Sequence, residues 1–370
     1  MTTVVAPARL HLTPSDLKDL ARGAAFLGTG GGGDPYVGRL MVERELAKGG
    51  RLGLVSLDEI PDDAFIIPTA MMGAPTVMVE KLPRGDEAIT SLRALETHLG
   101  RRADATMPIE CGGINSTMPL VVGARLGLPV VDADGMGRAF PELQMETFNV
   151  YGVAGTPMAI SNEHGDTAIV TAHDNNMMEW LARGITIRMG GSSLIAEYAM
   201  DGATAKRTSV PGTISLGLRL GRCLREARER HQDPFGALID ELAQTPYRYA
   251  RVIFEGKVTD VFRRTTEGFA RGNATLEALH GTSTLELTFQ NEHLIARVDG
   301  DVRAIVPDLI CVLDSETAEP VTTEAIRYGQ RVKVMVVSAP EIMRTPEALA
   351  VFGPRAFGLD HEFVQVEELV

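Results

Sequence analysis

Cysteine, tryptophan and clustered basic charge are scarce in this chain, and the scarcities of cysteine and of basic clusters each exclude a class of function. Its three cysteines, Cys111, Cys223 and Cys311, lie far apart with no CxxC pair. Neither a zinc ribbon nor a disulfide framework is indicated, and a reducing compartment fits. Asp and Glu number 49 against 36 Lys and Arg, for a net charge of −13. That balance argues against nucleic acid, whose phosphates need a clustered basic surface. The densest basic run, Arg219 to Arg230 (RLGRCLREARER), alternates with acids and apolar residues at helical spacing and reads as a solvated helix face. No apolar run approaches the roughly 18 residues of a membrane span. The N-terminus lacks a basic segment followed by an apolar core, so a cytoplasmic protein is expected. HxH and HExxH patterns, internal repeats and low-complexity tracts are also missing.

What is there suffices for two domains, since 370 residues can bury two cores. Thr13-Pro14-Ser15-Asp16 is a strong helix start, and that helix runs into Gly28-Thr-Gly-Gly-Gly-Gly33-Asp34-Pro35. Strands are expected at Leu52–Leu57 and Ala64–Thr69, with a loop over 71–75 and a helix over 86–99 stopped by Gly100. Next come short strands near Met107–Ile109 and Leu128–Val131, joined by a helix over 117–126 that ends on Gly127. This reads as a βαβ unit. Strands are expected again at 149–153, 157–160 and 168–172, then a helix over 175–183 and a small-residue crossover over 190–212. Two helices, 213–229 and 234–243, lead into a β pattern from Tyr247, with strands at roughly ten-residue spacing. The expectation is an α/β domain over 1–166, with a parallel or mixed sheet flanked by helices. A mainly β domain, barrel or sandwich, with linking helices follows over 167–370. Phe254, Phe262, Phe269 and Phe289 read as its core.

The candidate chemistry gathers where two strands of the βαβ unit end. One tip is Glu110-Cys-Gly-Gly113-Ile-Asn115-Ser116 and the other Asp132-Ala-Asp134-Gly135. Ligands bind beyond the carboxyl ends of such strands, so Glu110, Asn115, Asp132 and Asp134 are the catalytic candidates. The two aspartates suit a divalent cation such as zinc or a positioned water; the bland alternative is a capped turn. Arg138 and Glu142 follow closely, as a substrate clamp or as a pair with one another. His164 and His173 have acidic neighbours and join Asp132 and Asp134 as metal-ligand candidates, against the alternative of solvated loop histidines. The run Gly30, Gly31, Gly32, Gly33, Asp34 follows a helix rather than a strand, which disfavours a dinucleotide fingerprint. Four consecutive glycines mean either that the backbone passes something closely or that its amides face an anion. With Gly113 and Ser116 they form the substrate-binding candidates. Cys111 would need a basic partner to act as a thiolate, and no histidine can be placed against it.

Taken together, LGTGGGGDPYVGRL (27–40), IECGGINSTMPL (109–120) and GLPVVDADGMGRAFPELQMETF (127–148) resemble one family. So do GFARGNATLEAL (268–279), VPDLICVLD (306–314), IRYGQRVKVMVV (326–337) and FGPRAFGLD (352–360). It is the DUF917 proteins, now called S-methyl thiohydantoin desulfurase-like. The resemblance implies an α/β N-terminal and a largely β C-terminal domain. It further implies a hydrolase acting on a cyclic amide or ureide, releasing methanethiol from an S-methyl thiohydantoin to leave a hydantoin, beside a hydantoinase-type partner. The reading from a different class is a non-catalytic ligand-binding or accessory subunit of a hydantoinase-type system. A nicotinamide-dependent oxidoreductase is the weakest reading. A small-molecule substrate is expected, with no nucleic acid and no membrane, and a homo-oligomer is compatible.

Overall fold

The first helix, α1 (Pro14–Leu27), begins as its sequence dictates. Thr13 and Asp16 form a reciprocal capping box ahead of Pro14, and Leu17, Leu20, Phe26 and Leu27 are buried along one side. The computed structural model describes residues 10–33, 35–73, 77, 81 and 84–370. The expectations at Asp34 and at residues 74–75 lie outside the described residues. Beyond the glycine run come α2 (Pro35–Ala47) and α3 (Asp86–Leu99), the latter closed by left-handed Gly100. The helix α4 (Met118–Leu126) ends likewise on Gly127. Later come α5 (Asn175–Arg188), α6 (Thr213–Glu229) and α7 (Pro234–Leu242). All five arginines of the basic run on α6 pair with carboxylates: Arg219 with Glu241, Arg222 with Asp16, Arg225 with Asp19, Arg228 with Glu319 and Arg230 with Glu226.

The α/β body holds three sheets. In the first, β1 (Leu10–His11), β2 (Gly53–Ser56), β5 (Val130–Asp134) and β10 (Val210–Pro211) lie in that order, with β2 and β5 parallel and Ser56 opposite Asp132. A two-stranded sheet pairs β3 (Phe65–Ile66) with β9 (Met200–Asp201). The third is antiparallel, with β4 (Thr69–Gly73), β8 (Ser192–Ala196), β6 (Met158–Ser161) and β7 (Thr167–Val170) in that order. The sheets are therefore mixed. Expected boundaries shift where tertiary pairing decides. Met107–Ile109 forms no strand; instead Ala105 and Thr106 bridge Ile66 and Val130 in the parallel sense. Part of the 71–75 loop is strand, because β8 from the small-residue crossover pairs with it. Residues 147–150 make a helical turn where a strand was expected over 149–153.

From Ala250 the chain is a seven-stranded antiparallel half-barrel. It comprises β11 (Ala250–Thr266), β12 (Phe269–Ala278), β13 (Thr284–Gln290), β14 (Glu292–Val298), β15 (Asp301–Ile305), β16 (Leu309–Asp314) and β17 (Arg331–Val337). Their order is β15-β14-β13-β12-β11-β17-β16. Alternating residues such as Val258, Leu276, Leu285, Leu287 and Val334 fill its own core. Phe254, Phe269 and Phe289 are buried as expected, whereas Phe262 falls on the outward side of β11 and is 59% exposed. A boundary at 166/167 falls in the turn between β6 and β7, where Ser161 faces Thr167. Packing carries the α/β body on through β8, α5 and α6. The larger core then runs unbroken into the half-barrel, where Ile295, Ile305 and Leu309 join it. No helix among the described residues is long and apolar enough to cross a membrane.

Candidate functional site

The tip of the β13–β14 hairpin reaches into the α/β body. Gln290 faces Glu292 across a single tip residue, Asn291, which adopts φ +57°. Its carboxamide accepts from Ala270 N, and its own N–H donates to Ala270 O, both at 2.8 Å. Residues Glu292 and His293 are thereby pushed against the glycine run. His293 N donates to Thr29 O at 2.9 Å, and Thr323 N donates to Gly30 O at 2.8 Å.

The glycine run now has its cause. A Cβ on Gly31 would stand 1.9 Å from Glu292 Oε1, so only glycine leaves room for that carboxyl. On the other side, Ile114 N donates to Gly32 O at 2.8 Å. Gly113, at φ +46°, brings its Cα so close that a Cβ would lie 2.2 Å from the carbonyl oxygens of both Gly32 and Gly33. Of the two readings offered for the run, close passage by other groups is what the packing displays.

Between these loops lies a cavity of about 50 Å³. At about 10–15 Å³ per ordered water this is room for a few waters. Glu110 and Asn115 line it, with Gly32, Gly33, Glu142 and, from the hairpin, Glu292. Its apolar surfaces are Met71, Ile109, Ile114, Met136 and Phe140.

Two buried carboxyl groups dominate the wall. Burial pushes Glu110 up to about 8, with the Asp134 carboxylate adding to the rise, against hydrogen bonds from Asn115 and Phe140 N that lower it. Asn115 Nδ2 donates to Glu110 Oε1 at 2.8 Å and to Met71 O at 3.1 Å, while Asn115 Oδ1 accepts from Met71 N at 2.8 Å. The amide is thus fully engaged, and what it does is fix Glu110. Glu292 is also raised well above the carboxylate range, by burial first and then by Glu110. Its Oε2 accepts no hydrogen bond from the described residues.

The other expected residues stand behind this wall or away from it. Asp134 is fully buried and accepts from the backbone N–H groups of Cys111, Met136 and Gly137. Asp132 Oδ1 accepts from Ser215 N at 3.0 Å, at the start of α6. Both aspartates serve as turn and helix caps and neither lines the cavity. His164 and His173 are exposed and pair with their neighbours Glu163 and Asp174. The four metal-ligand candidates do not converge, and no cluster of three or more such side chains occurs among the described residues. Zinc therefore has no fitting ligand set in them. Ser116 donates to Gly113 O, which holds the loop. Arg138 is not a substrate clamp: its guanidinium donates to the carbonyls of Ala139, Asp308 and His293 and to Thr29 Oγ1. It is buried at the junction of the two bodies, where its positive charge lowers both wall acids. Glu142 does line the cavity, held by Gln144 and Gln290. Cys111 is buried, donates to Thr213 O and is pushed well above the thiol range, which leaves it inert.

Sequence reasoning missed Glu292, Asn291, Arg183 and Phe140. In sequence, Gln290-Asn291-Glu292-His293 has the composition of a solvated turn. The one available signal was indirect: a four-glycine run needs a bulky neighbour from elsewhere in the chain.

Comparison with known proteins agrees with this architecture. Residues 15–172 match the S-Me-THD-like N-terminal domain and residues 173–366 the S-Me-THD-like C-terminal domain. A crystal structure of a protein from Chromobacterium violaceum is similar over 96% of this chain and 100% of that one, at 25% identity and a TM-score of 0.80. No curated protein matches.

Proposed function

Because the chain belongs to the S-Me-THD-like family, and because a buried carboxyl from each of its two bodies, Glu110 and Glu292, lines one shared cavity, we propose that it is a hydrolase of a thiohydantoin-like ring. The reaction is release of methanethiol from an S-methyl thiohydantoin, leaving the hydantoin. The shared cavity of Glu110 and Glu292 carries this reading.

The ionised Glu110 takes a proton from water as the water oxygen bonds to the ring carbon bearing the methylthio group. The neutral acid of Glu292 gives its proton to the adjoining ring nitrogen, so water adds across the C=N bond. In the second step the Glu292 carboxylate takes the proton of the new hydroxyl as the carbonyl forms. The C–S bond breaks, and Glu110 returns its proton to the departing sulfur. One water is consumed, methanethiol and hydantoin leave, and both carboxyl groups recover their starting states. Environment separates the two roles: Glu110, near 8, ionises in the neutral to mildly alkaline range, while none of the described residues donates to Glu292 Oε2 to favour its charge. Asn115 is a positioning residue that holds Glu110. Three free cysteines suit a cytoplasmic setting, and a hydantoinase-type enzyme would consume the product.

The test is thiol release by the purified chain from S-methyl thiohydantoins, with Glu292→Gln alongside. A loss of about 100-fold or more in kcat at unchanged circular dichroism is expected; turnover by Glu292→Gln at the parent rate would overturn the assignment.

A further inference from the structure

A second, larger cavity of about 1030 Å³ lies against the first, between α5 and the β11–β12 turn. Glu142 and Arg183 line both cavities, so the two adjoin at these side chains. That junction is rigidly built. Arg183 donates to Glu179 Oε1 at 2.6 Å and to Pro141 O at 2.9 Å. Glu179 in turn accepts from Leu143 N at 3.0 Å, which ties α5 to the wall of the inner cavity.

The outer basin differs in chemistry from the inner one. Its surface is mainly apolar, with Trp180, Leu181, Ile185, Ile187, Met189 and Phe269. Trp180, the chain's single tryptophan, is 70% exposed there, and Ile187 is 49% exposed. Phe269 lies flat under Arg183, at 4.5 Å from guanidinium carbon to ring centroid. The charges are not predominantly basic: Glu179 offsets Arg183, Glu267 faces Arg271, and Glu142 and Asp166 line the same basin as Arg188. Such a basin offers an anion no surplus positive charge, but it offers a bulky apolar group surface to cover.

The inner cavity is small, about 50 Å³. A substrate whose ring lies between Glu110 and Glu292 has this basin beside it, across Glu142 and Arg183. We propose that this basin is the subsite for an uncharged aromatic or branched aliphatic substituent on the substrate ring, and that it makes the protein selective for rings derived from apolar amino acids. This rests on the proposed thiohydantoin chemistry for the ring, yet it is testable apart from turnover.

Two measurements separate the basin from the chemistry. The first compares kcat/KM for 5-benzyl, 5-methyl and 5-carboxyethyl S-methyl thiohydantoins. The benzyl compound is expected to exceed the methyl compound by about 10- to 100-fold, mostly through KM, as burial of one aromatic ring implies. Ile187→Asp, a change at an exposed position that spares the fold, should collapse that ratio to within about threefold. Equal values for benzyl and methyl, or preference for carboxyethyl, would overturn the subsite while leaving the hydrolase reading intact. The second follows Trp180 fluorescence during titration with 5-benzylhydantoin and 5-methylhydantoin, which needs no catalysis. If no compound releases thiol, tenfold tighter binding of the benzyl ring with altered Trp180 emission still supports the subsite, and equal affinities with unchanged emission sink it.

Discussion

Replacing Glu110 with glutamine should stabilise the protein in mild alkali and lose that advantage in acid. Burial lifts this carboxyl from an ordinary value of 4.5 to about 8. The folded state thus holds the proton more tightly than the unfolded chain. The stability this confers is complete below pH 4.5 and is lost as pH rises through 8. At about 1.4 kcal/mol per unit, the loss is about 2 kcal/mol at pH 6 and about 4–5 kcal/mol at pH 8.5. Glutamine has no charge to lose. Its carbonyl oxygen can still accept from Asn115, but its amide then opposes Phe140 N, now 3.3 Å from Glu110 Oε2, at about 1 kcal/mol at any pH. The variant should therefore exceed the parent by about 3–4 kcal/mol at pH 8.5, by about 1 kcal/mol at pH 6, and fall behind below about pH 5. Urea unfolding of both proteins at pH 6 and 8.5 reads the difference. Other buried acids such as Glu146 and Glu197 titrate in both proteins, so only the difference between the two bears on Glu110. A gap that changes by less than about 0.5 kcal/mol between these pH values would show that Glu110 meets solvent or a cation when folded.

In the proposed reaction the same carboxyl acts in its ionised form, so kcat/KM for thiol release should climb with pH to a plateau above about 8; a flat or falling profile removes Glu110 as the base. Arg138→Met strands the carbonyls of Ala139, His293 and Asp308 without their donor, and a loss of about 3 kcal/mol or more should appear as a lowered Tm. Gly113→Ala drives a Cβ to 2.2 Å from two carbonyl oxygens and should yield little folded protein. Gly49→Ala, at φ +93° with open space around it, should cost only about 1 kcal/mol. Equal yields of the two variants would refute the tight meeting of the loops.

Local signals carried much of the fold. Thr13, Pro14 and Asp16 announced α1, and Gly100 and Gly127 closed helices where expected. Those residues act on backbone groups a few positions away, so a linear reading finds them. Pairing across long separations was less visible: β8 reads as a small-residue crossover until β4 lies beside it. The site divides the same way. Glu110 and Asn115 share one turn, and both line the cavity. Asp134 stands behind the cavity wall, and a carboxylate sunk into three backbone amides looks, in sequence, like one free to act. Glu292 gains its place from a hairpin that pairs with nothing near residue 110, and only the shape of the glycine run hinted at a guest.

The seating of Asn291 and Glu292 inside the other body has a bearing on biosynthesis. A ribosome that has released only the first 250 residues has made a chain whose Glu292 berth beside Gly31 is still vacant. In the proposed reaction, a nascent or truncated product without the hairpin would lack one of the two carboxyl groups that act on the ring.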